Sequence, residues 1–334
     1  MIAIGGYLVY KTVGLDSLNP DKFSIGDLTR YISYFGTMVW PMMAVGRLIN
    51  MRAQAKASLQ RINSLLNQPV EIKDGEDTKP LSQIQGKIVF NNLTFRYPNT
   101  KQDALKNISF TIEAGETIGI IGRTGSGKTT LVDLLLRLYN LKENEIMIDD
   151  VDIMKLPIHS VRDAIGYVPQ DNFIFSDTIE NNIGFALDEN NHEQIEQVAI
   201  ESDVHDNIID FPNGYETVVG ERGVTLSGGQ KQRISIARAL IKDPEILIMD
   251  DSFSAVDTKT EEMILDNLKE LRKNKTTLII AHRISTIKNA DKIVVIDDGK
   301  MIALGKHDDL MASSPFYQQL VLQQQLEDEI EGVA

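Results

Sequence analysis

Gly122-Arg123-Thr124-Gly125-Ser126-Gly127-Lys128-Thr129-Thr130 fits G-x-x-x-x-G-K-[ST], the phosphate-binding P-loop. An apolar run, Thr117 to Ile121, leads into it, and a helix-period segment, Leu131 to Leu138, leads away. That strand–loop–helix setting separates the motif from an ordinary glycine-rich turn. Glycines let the backbone close around a phosphate, while successive N–H groups and a helix N-terminus supply partial positive charge. Lys128 is expected to reach the β/γ-phosphates of a nucleoside triphosphate, and the Thr129 hydroxyl to ligate Mg2+.

The surroundings extend this into an α/β fold. Lys87 to Asn91, Leu93 to Tyr97 and Leu105 to Ile112 are β-rich, which predicts an antiparallel subsheet ahead of the P-loop strand. Beyond the loop, the strand-like runs Glu245 to Met249, Thr276 to Ile280 and Lys292 to Ile296 alternate with helical ones, the pattern of a parallel-sheet core. Residues 176–242 carry no buried-strand pattern and predict an inserted helical subdomain. Gln318 to Glu331 is Gln- and Glu-rich and is expected to form a solvated terminal helix, ending in an acidic tail over 327–334.

The chain has 334 residues, 42% of them hydrophobic and 25% charged, as in a folded protein. A formal net charge of −14 excludes a nucleic-acid partner as the default, because phosphate backbones call for a basic face. With no cysteine there is no disulfide or thiol chemistry. The charge is uneven: residues 1–70 carry seven Lys/Arg against three Asp/Glu. Residues 1–10 are apolar but lack a basic n-region, and are too short to span a bilayer, which takes about 20 residues; they read as a clipped span or a buried strand. Tyr31 to Met51 is long enough to cross, with Arg30 at one end, Arg47 able to snorkel at the other, and Pro41 expected to kink it. Arg52, Lys56 and Arg61 follow directly, placing the C-terminal side in the cytoplasm by the positive-inside rule. A buried core helix is the other reading of 31–51. Helical spacing continues through Ala55, Leu59, Ile62 and Leu66 to Pro69, and the turn-rich stretch 69–85 reads as a linker.

A second anion cradle is legible in Leu226-Ser227-Gly228-Gly229-Gln230, which, followed by Lys231-Gln232-Arg233, opens a helix at Ile234 to Leu240. Ile246 to Asp250 is a buried strand ending in a carboxylate, suited to holding Mg2+ in the manner of Walker B. Asp251 stands where a general base for an attacking water would stand, and His282 ends another strand within reach of a γ-phosphate.

A P-loop, then Gln170 in Val168-Pro169-Gln170-Asp171, then LSGGQ, Walker B and His282, in this order, resembles the nucleotide-binding domain of ABC transporters over about residues 86–326. Residues 1–68 resemble the end of an exporter-type membrane domain: the close of its fifth helix and its sixth helix, with the span at 31–51 and a cytoplasmic extension over 52–68. The resemblance implies ATP and Mg2+ as ligands. Tyr97 would stack on adenine, Gln170 would sense Mg2+ and transmit to the membrane domain, and Asp250 would hold the metal. Gly220-Glu221-Arg222-Gly223 looks like the exporter loop that touches the membrane domain, and Ser254-Ala255-Val256-Asp257 like the D-loop. In such proteins two domains close head-to-tail, so 226–230 would cover ATP on a partner's P-loop; Ser254 and Asp257 read without the resemblance are a plain helix cap.

Two departures stand out. The residue after the Walker B aspartate, usually glutamate, is Asp251 here. One methylene shorter, it places a base about 1 Å off, a displacement worth on the order of 10²-fold in rate. The resemblance then implies the degenerate-site half of a heterodimeric exporter, favoured over a homodimer working with Asp. An exporter half also needs about six membrane helices, so the remaining ones are expected from a longer protein or a companion chain. The expected function is ATP-driven export of a drug, lipid or peptide across the cell membrane. The rival readings are a soluble ABC ATPase without a transport role and a nucleotide sensor with little turnover.

Overall fold

The computed structural model describes residues 2–14, 22–220 and 223–333. The chain forms two compact units, Met1–Glu71 and Ile72–Ala334.

The first unit is helical. α1 covers Ile2–Thr12 and α2 Ile25–Leu66. Residues 2–12 are thus a helix, not a buried strand. α2 starts at a capping box in which the Ser24 hydroxyl accepts from the Asp27 N–H and the Asp27 carboxylate accepts from the Ser24 N–H at 3.1 Å. It continues without a break through Pro41 and ends three residues before Pro69. Its 42 residues amount to about 63 Å. No residue of α2 is buried. The span expected at 31–51 has the length but not the apolarity: among the described residues no helix is long and apolar enough to cross a membrane. Ser33, Thr37, Pro41 and Arg47, with the polar ends of Tyr31, Tyr34 and Trp40, dilute the stretch.

In the second unit β1 (Ile88–Phe95), β2 (Leu105–Ile112), β4 (Ile146–Ile148) and β5 (Val151–Asp152) form an antiparallel sheet in the order β2-β1-β4-β5. The two strand-like runs at 87–91 and 93–97 are one strand, because the register shift between Phe90 and Leu93 absorbs Asn92 at φ 47°. The larger sheet contains β3 (Thr117–Gly122), β6 (Ile165–Val168), β7 (Ile246–Asp250), β8 (Thr276–Ile280), β9 (Lys292–Asp297) and β10 (Lys300–Gly305), ordered β10-β9-β3-β8-β7-β6. All its pairings are parallel except β9 with β10.

Period-2 alternation explains why the central strands read as unbroken apolar runs. Ile118, Ile120, Ile246, Ile248, Leu278, Ile280, Val294 and Ile296 face a core shared with the antiparallel sheet. Ile121, Leu247, Met249, Ile279, Ile293 and Val295 face the other core, shared with helices. α3 (Lys128–Leu135) and α4 (Ile158–Asp163) join the first core through Leu131, Val132, Leu134, Leu135 and Val161, whereas α5 (Ile179–Ile183), α6 (His192–Glu201), α7 (His205–Ile209) and α8 (Gly228–Leu240) of the expected helical subdomain join the second. α9 (Thr258–Leu271), α10 (Ile284–Ile287), α11 (His307–Ser313) and α12 (Pro315–Val333) complete the unit. α12 is not wholly solvated as expected, since Tyr317 and Val321 are buried in the second core. The turn-rich stretch before β1 is docked: Asp74 Oδ1 accepts from Ile158 N–H at 2.8 Å, Lys79 N–H donates to Lys155 O at 3.0 Å, and Leu81 and Ile84 pack on the first core.

Candidate nucleotide site

Three strand ends lie level. Ile120 pairs with Ile280, and Ile280 with Asp250, so β3, β8 and β7 deliver Gly122, His282 and Asp250–Asp251 to one edge of the parallel sheet. The carboxyl edge of such a sheet is where ligands bind in open α/β folds.

The P-loop is held by close packing. A Cβ on Gly122 would lie 1.9 Å from the Ile296 carbonyl oxygen, so only glycine passes there. Gly127 has φ +104° and would meet Ala104 O at 2.9 Å. It precedes α3 without a side-chain cap, which leaves the first-turn N–H groups of the helix for an external acceptor. Arg123, Thr124, Gly125 and Thr129 are exposed, whereas Ser126, Lys128 and Thr130 are buried. Lys128 Nζ donates to Gly122 O at 2.8 Å and Arg123 O at 3.1 Å, closing the loop on itself. Burial pulls its ammonium below the usual lysine range, against the opposing pull of Asp250 and Asp251.

Asp250 is 2% exposed, and its Oδ2 has no hydrogen-bond partner. Burial pushes its carboxyl up, the neighbouring Thr129 hydroxyl draws it down, Asp251 raises it and Lys128 lowers it. An unsatisfied carboxylate oxygen beside a threonine hydroxyl fits a hard cation that takes most of its ligands from phosphate and water. Among the described residues there is no group of three or more His, Cys, Asp or Glu that would hold a metal unaided. Asp250 and Thr129 would hold Mg2+ here, and the ion would supply charge neutralisation of the phosphates. Gln170 is exposed just beyond the end of β6, available to the same edge.

Asp251 adopts φ 48°, and its N–H donates to Ile280 O at 2.9 Å. Burial raises its carboxyl, while His282, Lys128 and Arg283 pull it down. With Ser254, His282 and Arg283 it lines a cleft of about 100 Å³. His282 is exposed at the end of β8. Tyr97 is half-buried; its hydroxyl meets Thr130 Oγ1 at 2.9 Å and Asp133 Oδ2 at 3.2 Å, tying the ring to the P-loop helix.

The second cradle lies in the helical subdomain. Ser227 Oγ accepts from Gln230 N–H, and Gln230 Oε1 accepts from Ser227 N–H at 2.9 Å, a capping box that starts α8. Ser227 and Gly228 are exposed, and Leu226 anchors the turn in the core. Gly228 and Gly229 pack on Ala255, and Gln232 bonds to Ser254 Oγ at 2.9 Å and Ala255 N–H at 3.0 Å. The signature turn is thereby joined to 254–257, not to the phosphate loop. Asp257 caps α9, accepting from Thr260 N–H at 3.0 Å. In the 220–223 loop, Glu221 and Arg222 lie outside the described residues; Gly223 N–H donates to Gly220 O at 3.2 Å.

The ABC transporter family pattern matches residues 105–254, which run from the start of β2 through both cradles and Walker B. The chain carries an ABC transporter ATP-binding domain. It is 42% identical over 333 residues to the probable multidrug resistance ABC transporter ATP-binding/permease protein YheI of Bacillus subtilis, covering 100% of this chain and 55% of that protein. Against the multidrug resistance-like ATP-binding protein MdlA of Escherichia coli the identity is 40% over 327 residues, covering 98% of this chain and 54% of that one. The chain thus spans about half the length of these curated relatives. Among solved structures, a bacterial Atm1-family ABC exporter with ATP bound aligns at a TM-score of 0.80 and 34% identity, over 97% of this chain and 57% of that chain. Sequence reasoning had missed a set of residues behind His282, namely Glu261, Thr286 and Gln324. Gln324 lies in a glutamine-rich run that reads as solvent-facing; the seven-residue spacing from the buried Tyr317 was the available signal.

Proposed function

We propose that this chain is the ATP-binding part of an exporter half, working with a second, different half as the degenerate-site member of a heterodimer. ATP would lie on residues 122–130 with Tyr97 against the base. Thr129, Gln170 and Asp250 would hold Mg2+, Asp251 would orient the attacking water and His282 would meet the γ-phosphate. Residues 226–230 would cover ATP bound by the partner, and the exposed Ser227 and Gly228 suit that role. Residues 25–66 would be one helix of a membrane region completed by other helices. This reading draws on the lack of any buried residue along it and on the near-complete alignment of the chain with an ABC transporter ATP-binding/permease protein and an ABC exporter. Cover from neighbouring helices would replace the apolarity the helix lacks. The nucleotide-binding unit would face the cytoplasm, and ATP-driven closure would move a drug, lipid or peptide across the cell membrane.

Asp251 is the observation that carries the heterodimer reading. Its backbone is pinned to β8 and its carboxyl is already inside the cleft, so the missing methylene has no slack to make it up. ATP turnover of wild type, Asp251→Glu and Asp251→Ala tests this. Turnover close to the Ala variant's, rising on the order of 10²-fold with Glu, supports a weak own site. Brisk wild-type turnover abolished by Ala would make Asp251 a working base and sink the heterodimer reading.

A further inference from the structure

We propose that Gln324, on the C-terminal helix α12, is a positioning residue for His282; the inference rests on the reading of His282 as a γ-phosphate contact. His282 leaves β8 on a short connection, with Arg283 preceding α10 and offering no side-chain cap to it. The first helical donor, Ile284 N–H, would be left unpaired by local structure alone. Gln324 supplies what is missing: its Oε1 accepts from Ile284 N–H at 2.7 Å and its Nε2 donates to His282 O. One amide side chain therefore holds the peptide groups on both sides of Arg283, using both its donor and its acceptor. Amide–amide pairing of this kind fixes orientation as well as distance.

The other side of the same segment is held from α9. Glu261 is 1% exposed; its Oε1 accepts from the Thr286 hydroxyl and its Oε2 pairs with Arg283 Nη1 at 3.4 Å. Glu261 thus ties Arg283 and Thr286 to α9, Ala281 N–H is held by Ile120 O at 3.2 Å, and the His282 carbonyl is held by Gln324. Val321 and Tyr317, about one and two turns earlier on α12, are buried in the core and bring Gln324 to a fixed place. The C-terminal helix is in this way part of the nucleotide site's support. Anything that lifts α12 from the core releases the histidine connection.

Hydrogen–deuterium exchange of residues 281–288, with no nucleotide, with MgADP and with MgATP, tests this on the whole chain. In wild type the segment is expected to be more protected by ATP than by ADP, and His282→Ala to remove that difference. Gln324→Met, which keeps the volume but neither hydrogen bond, is expected to exchange roughly tenfold faster without nucleotide and to lose the ATP–ADP difference. ADP affinity is expected to be unchanged, since the P-loop is untouched and ADP has no γ-phosphate for His282 to meet. Gln324→Glu keeps the acceptor for Ile284 N–H but opposes the His282 carbonyl with a second acceptor, so it is expected to keep basal protection while losing the ATP–ADP difference. Unchanged exchange in Gln324→Met overturns the clamp. Faster exchange in that variant with the ATP–ADP difference intact overturns the positioning role alone. A difference that survives His282→Ala overturns the reading of His282 as well. An equal rise in exchange throughout α9 and the sheet would reduce Gln324 to a general packing residue, also overturning the proposal.

Discussion

Asp250 has a buried carboxylate oxygen that no protein group satisfies, at a strand end where a neutral residue would fold more easily. Its pKa is raised, chiefly by burial, so the native state holds the proton more tightly than the unfolded chain does. The cost of ionising it is therefore present above the raised value, and fades as pH falls towards the unfolded value of about 3.9. Asp250→Asn should remove this cost. The expected gain is on the order of 1 kcal/mol, or a few degrees in Tm, at pH 7–8, narrowing towards pH 4. The same variant should lose the extra Tm shift that Mg2+ adds to ATP. A lower Tm for Asp250→Asn at pH 8 would refute the account. Lys128 and Asp250 were legible in the sequence because each belongs to a local pattern, a loop or a strand ending in a charge. The Gln324 bond was not, since 42 residues separate it from His282 and the helical spacing from Tyr317 marks only the face of α12, not the partner.

At the scale of elements, the signature turn and the P-loop are both helix starts, yet they are built differently. α3 begins at a left-handed glycine without a side-chain cap, whereas α8 closes a capping box on itself. Ser227→Ala should cost about 1 kcal/mol and speed exchange over 228–231. It should leave ATP affinity of this chain alone unaltered if Ser227 serves a partner's nucleotide; a tenfold loss in fluorescent-nucleotide binding would place it on its own chain's ligand. Apolar runs long enough to cross a sheet, such as β3, β7, β8 and β9, announced themselves, because both faces are buried. β6 is four residues and stops at Pro169, and β4 and β5 are three and two residues, too short for period 2 to register. β10 alternates in burial but lies at the sheet edge, where its outward side chains are polar or only half-covered. α2 is the converse case. Its helical spacing was plain, while its membrane character depends on average apolarity, which the polar and aromatic residues of 31–47 reduce.

For the whole molecule, both hydrophobic cores lie within the second unit, between Ile88 and Val321, and none of their residues comes from residues 1–71. The first unit exposes Ile32, Phe35, Met38, Trp40, Met42 and Leu48 along α2, and none of its described residues covers them. Folding free energy and apolar exposure are thus assigned to different parts of the chain. A protein comprising residues 72–334 should unfold in a single cooperative transition near that of the full chain and bind MgATP with the same affinity, because the P-loop, Asp250, His282 and Gln324 all remain. The full chain should self-associate or require detergent, since an apolar helix surface of this size seeks cover. Light scattering and nucleotide titration of the two proteins side by side decide the matter. Loss of cooperative unfolding in 72–334 would mean that α1 and α2 help to hold the ATP-binding unit together, and the division of labour between the two units would fall.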